Sequence, residues 1–419
     1  MPLHWRSDPL PAAPGTVLPY GLGRSYGDCC LNDGGAVLLT RGLDRLIAFD
    51  PVTGVLRAEA GVTLDEVLRV VVPERWFPPV TPGTRFVTLG GAVANDVHGK
   101  NHHVDGTLGR HLLRFELLRS DGRRLVASPA EHPEWFAATV GGLGLTGLIT
   151  WVELQLRRVA GPVIRQDVIP FRGLDEFLEL SRGTGQGRRY SMAWLDVLAR
   201  GRSLGRGVFT CGDHWTDADG PMPARAAPRR HRMPLDLPGW ALNRASVWLF
   251  NQAYSWSHRN RRMGSAVHYE PFFFPLDAIL EWNRIYGRRG FLQYQCVVPV
   301  EPDPAPARAI LDRVAGSGAA SFLAVLKMFG DLPSPGMLSF PRPGLTIALD
   351  FPIRDEGTFR LCDDLDAIVR EAGGAVYPAK DARMSAAAFQ AFFPRFDEFR
   401  RFVDPAFSSS LWRRLSGGD

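Results

Sequence analysis

The chain has 419 residues, of which 45% are apolar and 22% charged, with a formal net charge of +5. That length favours two cores over one, and the composition excludes wholesale disorder. Basic residues are scattered and form no nucleic-acid recognition motif, and five cysteines in so long a chain do not make a disulfide framework, which points to a reduced compartment.

Up to about residue 157, short strands alternate with short helices. Residues 17–20, 36–40, 46–50 and 55–60 read as strands with turn residues between them. Thr63-Leu-Asp-Glu66 is a capping box and predicts a helix from Leu64 to about Val72. Further strands are predicted at 113–120 and 148–157; in the second, Val152, Leu154 and Leu156 share one face. From about residue 160 the texture changes. Residues 217–240 are rich in Pro and Arg without an apolar period, which predicts a loop or mobile flap. An aromatic stretch, 240–256, follows and runs into Arg259, Arg261 and Arg262. Beyond it the pattern predicts a strand at 291–300, a helix at 305–315, strands at 321–328 and 345–351, a helix at 359–373 and a short strand near Val376. That is the split βαβ order of an α+β sheet. A final helix, 385–402, is expected before a short tail.

Three glycine-rich segments punctuate the first 150 residues. Gly21-Leu-Gly-Arg-Ser-Tyr-Gly27 follows the first predicted strand. Glycines let backbone N–H groups approach a diphosphate closely, and Arg24 and Ser25 add donors. It is not a Rossmann fingerprint, because the third glycine comes one place late and no βαβ unit with an acidic residue follows. The second segment runs through Thr81-Pro-Gly-Thr84, Thr88-Leu-Gly-Gly-Ala92 and Asn95-Asp-Val-His-Gly-Lys100, with Gly90 and Gly91 opening a short helix. The third is Gly-Gly-Leu-Gly-Leu-Thr-Gly at 141–147. Three such loops in one unit are hard to explain as turns alone.

His98-Gly-Lys-Asn-His102-His103 invites a metal, since His98 and His102 would share a face if helical. Lys100 between them and the missing carboxylate argue against it, and no metal is expected. The segment reads instead as a loop near a reacting centre, or as a structural loop of satisfied polar groups. Lys327 and Lys380 sit in apolar or strand contexts. The plain accounts are an edge-strand position for Lys327 and an ion pair with Asp381 for Lys380. Arg225, Arg229, Arg230 and Arg232 fit either a solvated loop or a flap that meets a phosphate-bearing ligand or an acidic membrane surface.

The blocks 21–28, 82–85, 88–94, 98–103 and 141–147 resemble the FAD-binding domain of the vanillyl-alcohol-oxidase / p-cresol-methylhydroxylase superfamily. Within it, Glu281-Trp-Asn-Arg-Ile-Tyr-Gly287, Phe291-Leu-Gln-Tyr-Gln295, Ser321-Phe-Leu, Lys327-Met-Phe-Gly330, Asp350-Phe-Pro352 and Ala379-Lys-Asp-Ala-Arg383 look like blocks of the decaprenylphosphoryl-β-D-ribose 2'-oxidase family. The resemblance spans nearly the whole chain. It implies an α+β, two-domain fold of the p-cresol-methylhydroxylase type. Residues 1–160 and 375–419 would form the FAD-binding domain, with an antiparallel-sheet substrate domain inserted at 161–374.

By the same resemblance, FAD contacts fall on Gly21, Leu22, Gly23, Arg24, Ser25, Tyr26, Gly27, Gly83, Thr88, Gly90, Gly91, Asn95, Val97, His98, Ile149 and Tyr377. Substrate contacts fall on Gln293, Gln295, Lys327 and Lys380, and the catalytic set is Lys380, His98 and Lys100. A lysine facing a sugar can hydrogen-bond a hydroxyl and stabilise a developing alkoxide. Some relatives attach flavin through a His in the first loop; Arg24 stands there, so non-covalent FAD is expected. Two departures stand out. The chain begins about 20 residues before Gly21, where the family has an opening strand–helix unit, and Ala348 replaces a Cys that many relatives carry.

The implied reaction oxidises the 2-hydroxyl of a polyprenyl-phospho-ribose to the 2-keto sugar, the first half of an epimerisation to arabinose. A separate NAD(P)H-dependent short-chain reductase would complete it. Oxidation of a soluble sugar or alditol stays open, as does FAD binding without turnover. With no leader and no run near the roughly 20 apolar residues of a spanning helix, a cytoplasmic protein is expected, able to sit peripherally at the inner membrane face.

Overall fold

Thr63 opens the Leu64–Val71 helix as its sequence requires. Its hydroxyl accepts from Glu66 N at 3.2 Å, and the Glu66 carboxylate accepts from Thr63 N at 2.7 Å. A computed structural model describes residues 1–319 and 322–417. In it, Leu64, Val67 and Val71 of this helix share a core with Leu56, Val152 and Leu154 of a five-stranded sheet. That sheet runs Leu46–Phe49, Val55–Glu59, Leu148–Gln155, Leu112–Leu118, Arg124–Ala127, each neighbour antiparallel. The third of these strands stops short of the predicted 157, because Arg157–Arg158 turns away to pair with Trp76–Phe77. A parallel pair, Val17–Tyr20 with Ala36–Leu39, delivers the first glycine-rich loop.

The rest of the chain builds an eight-stranded antiparallel sheet. Its order is Arg262–His268, Val163–Phe171, Gly207–His214, Tyr190–Leu195, Ala324–Phe329, Gly344–Pro352, Phe291–Val298, Ala375–Val376. The last four strands carry the predicted split βαβ order, with helices Ala305–Ser317 and Glu356–Glu371 as crossovers. Ile310, Leu311, Leu365 and Val369 of these helices pack with Leu326, Ile347 and Val297 of the strands. Of the strand predicted at 321–328, the part from Ala324 forms; Ser321 lies outside the described residues. The mixed, segregated elements define an α+β fold.

The single helix predicted at 385–402 does not form. It breaks into Ala386–Phe392 and Phe396–Arg400 around Pro394, which has no N–H to donate and disfavours helical backbone at the residue before it. The expected short tail is instead a further helix, Ser410–Ser416, capped by Ser409, whose hydroxyl accepts from Trp412 N at 3.0 Å. Leu411 and Leu415 are fully buried beneath it. Residues 217–240 are largely irregular, as their composition predicts, and the aromatic stretch folds as the helix Arg244–Ser257, capped by Asn243. Among the described residues, no helix is long and apolar enough to cross a membrane.

Candidate active site

A cleft of about 350 Å³ is lined by the glycine-rich loops on one side and by the eight-stranded sheet on the other. Glycine is required where the loops meet. A Cβ on Gly21 would stand 2.4 Å from Thr88 Oγ1, and one on Gly90 would stand 2.9 Å from Ala60 Cβ. Gly23 has φ +58°, and a side chain there would run into the Tyr20 hydroxyl. Among the described residues, the N–H groups of Leu22, Gly23, Arg24 and Ser25 meet no protein acceptor, whereas Tyr26 N donates to Ala379 O at 2.9 Å. Four successive free donors in a loop that lines the cleft suit a diphosphate. The Asn95 amide adds a buried Oδ1 without a partner, its Nδ2 being held by Gly91 O at 2.8 Å.

Gly83, Thr88, Gly91, Val97, Ile149 and Tyr377 line the same cleft, as do all the other residues expected at the cofactor except one. Gly27 lies outside the lining. A Cβ there would fall 1.4 Å from Asp381 O, so this glycine packs the loop against the C-terminal segment rather than against a ligand. Arg414 fastens the same junction, bonding Asp28 at 2.8 and 2.9 Å and Asp381 at 2.8 Å.

The cleft floor gathers basic side chains. His98 is not helical: it forms an isolated bridge with Thr107, and the short helix holding His102 begins only after it. The shared helical face that would have made the two histidines a metal pair therefore does not exist. His98 Nδ1 lies 3.3 Å from Lys327 Nζ, and its Nε2 lies 2.9 Å from Gln295 Nε2. Burial and then the Lys327 charge hold its pKa well below the usual imidazole range, so the ring is neutral. Lys327 is on no edge: its strand pairs with Gly344–Pro352 on one side and with Tyr190–Leu195 on the other. Burial, then the Lys380 charge, lowers Lys327 to about 7. Lys100 is lowered to about 7 by burial and then by Lys327, and its ammonium donates to the Phe272 carbonyl.

Lys380 makes no ion pair with Asp381, which Arg414 occupies; its ammonium sits 4.0 Å from the centre of the Tyr26 ring. Burial lowers it to about 8, and the charge of Asp350 works in the opposite direction. Asp350 itself is raised to about 6 by burial, although it accepts from Gln293 Nε2 at 2.7 Å and from the Tyr286 hydroxyl at 2.9 Å. Three lysines lowered toward neutrality around one neutral histidine form a site able to take up or release a proton near pH 7–8.

Sequence reasoning did not assign Asp350, Asp277, Met192, Trp282 or the adjacent Cys29 and Cys30, all of which line the cleft. Asp350 had a signal, being the cross-strand partner of Gln293 and the head of a block that carries the family resemblance. Ala348 also lines the cleft, opposite Gln295 and Val325. Its methyl group cannot capture an electrophile, and burial pushes the nearby Cys296 thiol up, keeping it protonated and inert. Ala348→Cys is expected to acquire an adduct at position 348 from a thiol-directed electrophile, with little change in turnover. Peptide mapping by mass spectrometry checks this; a variant that takes no adduct at 348 contradicts the placement of this side chain.

Donor-rich glycine loops facing this floor, taken with the matches that follow, define an FAD-dependent oxidoreductase. A family model described as an FAD binding domain matches residues 11–128. Decaprenylphosphoryl-beta-D-ribose oxidase of Mycolicibacterium smegmatis is 38% identical over 415 residues, 95% of this chain and 89% of that protein. An uncharacterised protein of Streptomyces coelicolor is 35% identical over 375 residues, 84% of this chain and all of that one. Cytokinin dehydrogenase 8 of Oryza sativa is 30% identical over 171 residues, 38% of this chain and 32% of its own length. The chain belongs to the decaprenylphosphoryl-β-D-ribose oxidase family.

Proposed function

We propose that the protein oxidises the 2-hydroxyl of a polyprenyl-phospho-ribose to the 2-keto sugar. Residues 1–160 and 375–419 form its FAD-binding domain and 161–374 its substrate domain. The observation that carries this is the convergence of Lys380, Lys327, Lys100 and His98 on the cleft whose loop offers four unpaired N–H donors. When bound, FAD supplies the acceptor for the hydride that leaves C2. The protein's own residues align the sugar and handle the hydroxyl proton. Neutral Lys380 accepts that proton, and its ammonium form then faces Asp350. Gln293, its Nε2 held by Asp350, presents its carbonyl oxygen to a sugar hydroxyl. Lys327 and Gln295 hold His98 between them, so its ring cannot swing out of the floor. The keto product passes to a separate nicotinamide-dependent reductase.

The test is incubation with polyprenyl-phospho-ribose carrying deuterium at C2. A 2-keto product that has lost the label supports the proposal, and a product that retains it contradicts oxidation at C2. The FAD is held non-covalently, since Arg24 stands where a covalent His would have to be. Acid precipitation is expected to leave the flavin in the supernatant. Flavin retained in the pellet contradicts this.

A further inference from the structure

The charge of the chain is unevenly placed. Residues 220–268 carry eight arginines against one acidic residue, Asp236, so the remainder of the chain is net negative. All eight arginines are exposed. The same stretch exposes Leu235, Trp240, Trp248, Leu249, Trp256 and Met263, each more than half accessible. Buried Val247 and Asn251, with Tyr254 against Trp194, fix the inward face of the Arg244–Ser257 helix. Asn251 donates to Asp196 at 2.6 Å, which locks the helix rotation. At 100° per residue, Leu249 and Trp256 then lie on the opposite side, with Trp248 on the flank between. Large apolar residues turned outward by a fixed inward face are not a misplaced core.

We propose that this segment docks the protein on an anionic phospholipid surface. Tryptophan and leucine interleaved with arginine suit the headgroup boundary, where rings enter the apolar edge and guanidinium groups meet phosphates. A second copy of this chain is a poor occupant, because it would bring the same positive charge to the contact. The segment also adjoins the cleft. His231–Arg232 pairs with Ile279–Leu280, Met233 N donates to Leu280 O at 3.0 Å, and Leu237 N donates to Arg284 O at 2.9 Å. Leu276, Asp277 and Trp282, beside those partners, line the cleft. The docked face would thus hold the cleft near the membrane, where a polyprenyl chain resides; this purpose, though not the docking, rests on the substrate proposed above.

The experiment is sedimentation of the FAD-loaded protein with vesicles of phosphatidylcholine alone or mixed with phosphatidylglycerol. The protein is expected to sediment with the anionic vesicles only and to be released by high salt. The triple variant Arg259→Gln/Arg261→Gln/Arg262→Gln should bind about a hundredfold more weakly. Trp248→Ser/Trp256→Ser should also be released, with flavin absorbance and oxidation of a short-chain, water-soluble phospho-ribose intact in both variants. Absence of sedimentation, equal binding to both vesicle types, or undiminished binding by the variants overturns the proposal. So does loss of binding to a purified reductase in the Trp variant without any vesicle binding, which would make the face a protein contact. Vesicle binding without oxidation of the lipid-linked sugar removes the proposed substrate and leaves the docking surface standing. Oxidation without vesicle binding does the reverse.

Discussion

Lys380→Ala is expected to slow reduction of the bound flavin by about 10²–10³, the usual cost of removing one positioned proton-transfer group, while FAD content stays unchanged. The side chain rests on the Tyr26 ring and accepts from none of the loop N–H groups, so the flavin is expected to stay bound without it. The pH dependence follows from its lowered pKa. The neutral amine is the acceptor, and its fraction grows as pH rises through about 8. The rate of flavin reduction should therefore climb between about pH 7 and 9 and level off above, and Lys380→Ala should flatten that rise. Stopped-flow absorbance at a series of pH values measures both. A variant that reduces its flavin at the wild-type rate contradicts the assignment.

Gly27→Ala is expected to yield protein that neither holds FAD nor reaches wild-type stability. The backbone there, φ −121°, is open to any residue, so conformational freedom is not the issue. The added methyl would fall 1.4 Å from the Asp381 carbonyl, and backbone on both sides must part to admit it. Overpacking of this kind costs about 1–3 kcal/mol or more. Parting this junction also disturbs Tyr26 N–Ala379 O and the Arg414 clamp, which set the first loop over Lys380. The ratio of flavin to protein absorbance and the thermal midpoint check the prediction. A fully yellow variant with an unshifted midpoint contradicts it.

Local chemistry was legible in the sequence wherever a short stretch determines its own structure. The Thr63–Glu66 capping box, the alternation at Val152 and Leu154 and the split βαβ order all follow from neighbours along the chain. Most of the loops that line the cleft were readable for the same reason, because glycine pairs and hydroxyl caps mark tight loops. Contacts between distant segments were not. Gly27 looked like the end of a binding loop, but its function is set by Asp381, far along the chain. Lys380 beside Asp381 suggested an ion pair, which Arg414 takes instead, and an isolated strand pattern cannot tell that Lys327 has neighbours on both sides. The break at Pro394 rests on a single residue inside an otherwise apolar run. The outward face of the Arg244–Ser257 helix depends on Asp196 and Trp194, which nothing in the helix itself identifies.

Anaerobic mixing of the FAD-loaded protein with polyprenyl-phospho-ribose, followed by flavin absorbance, decides whether the lipid-linked sugar is the substrate. The lipid-linked ribose should bleach the flavin within the mixing experiment, while free ribose and alditols at the same concentration should not. Bleaching by the free sugars or alditols, or none with any of these compounds, would contradict it.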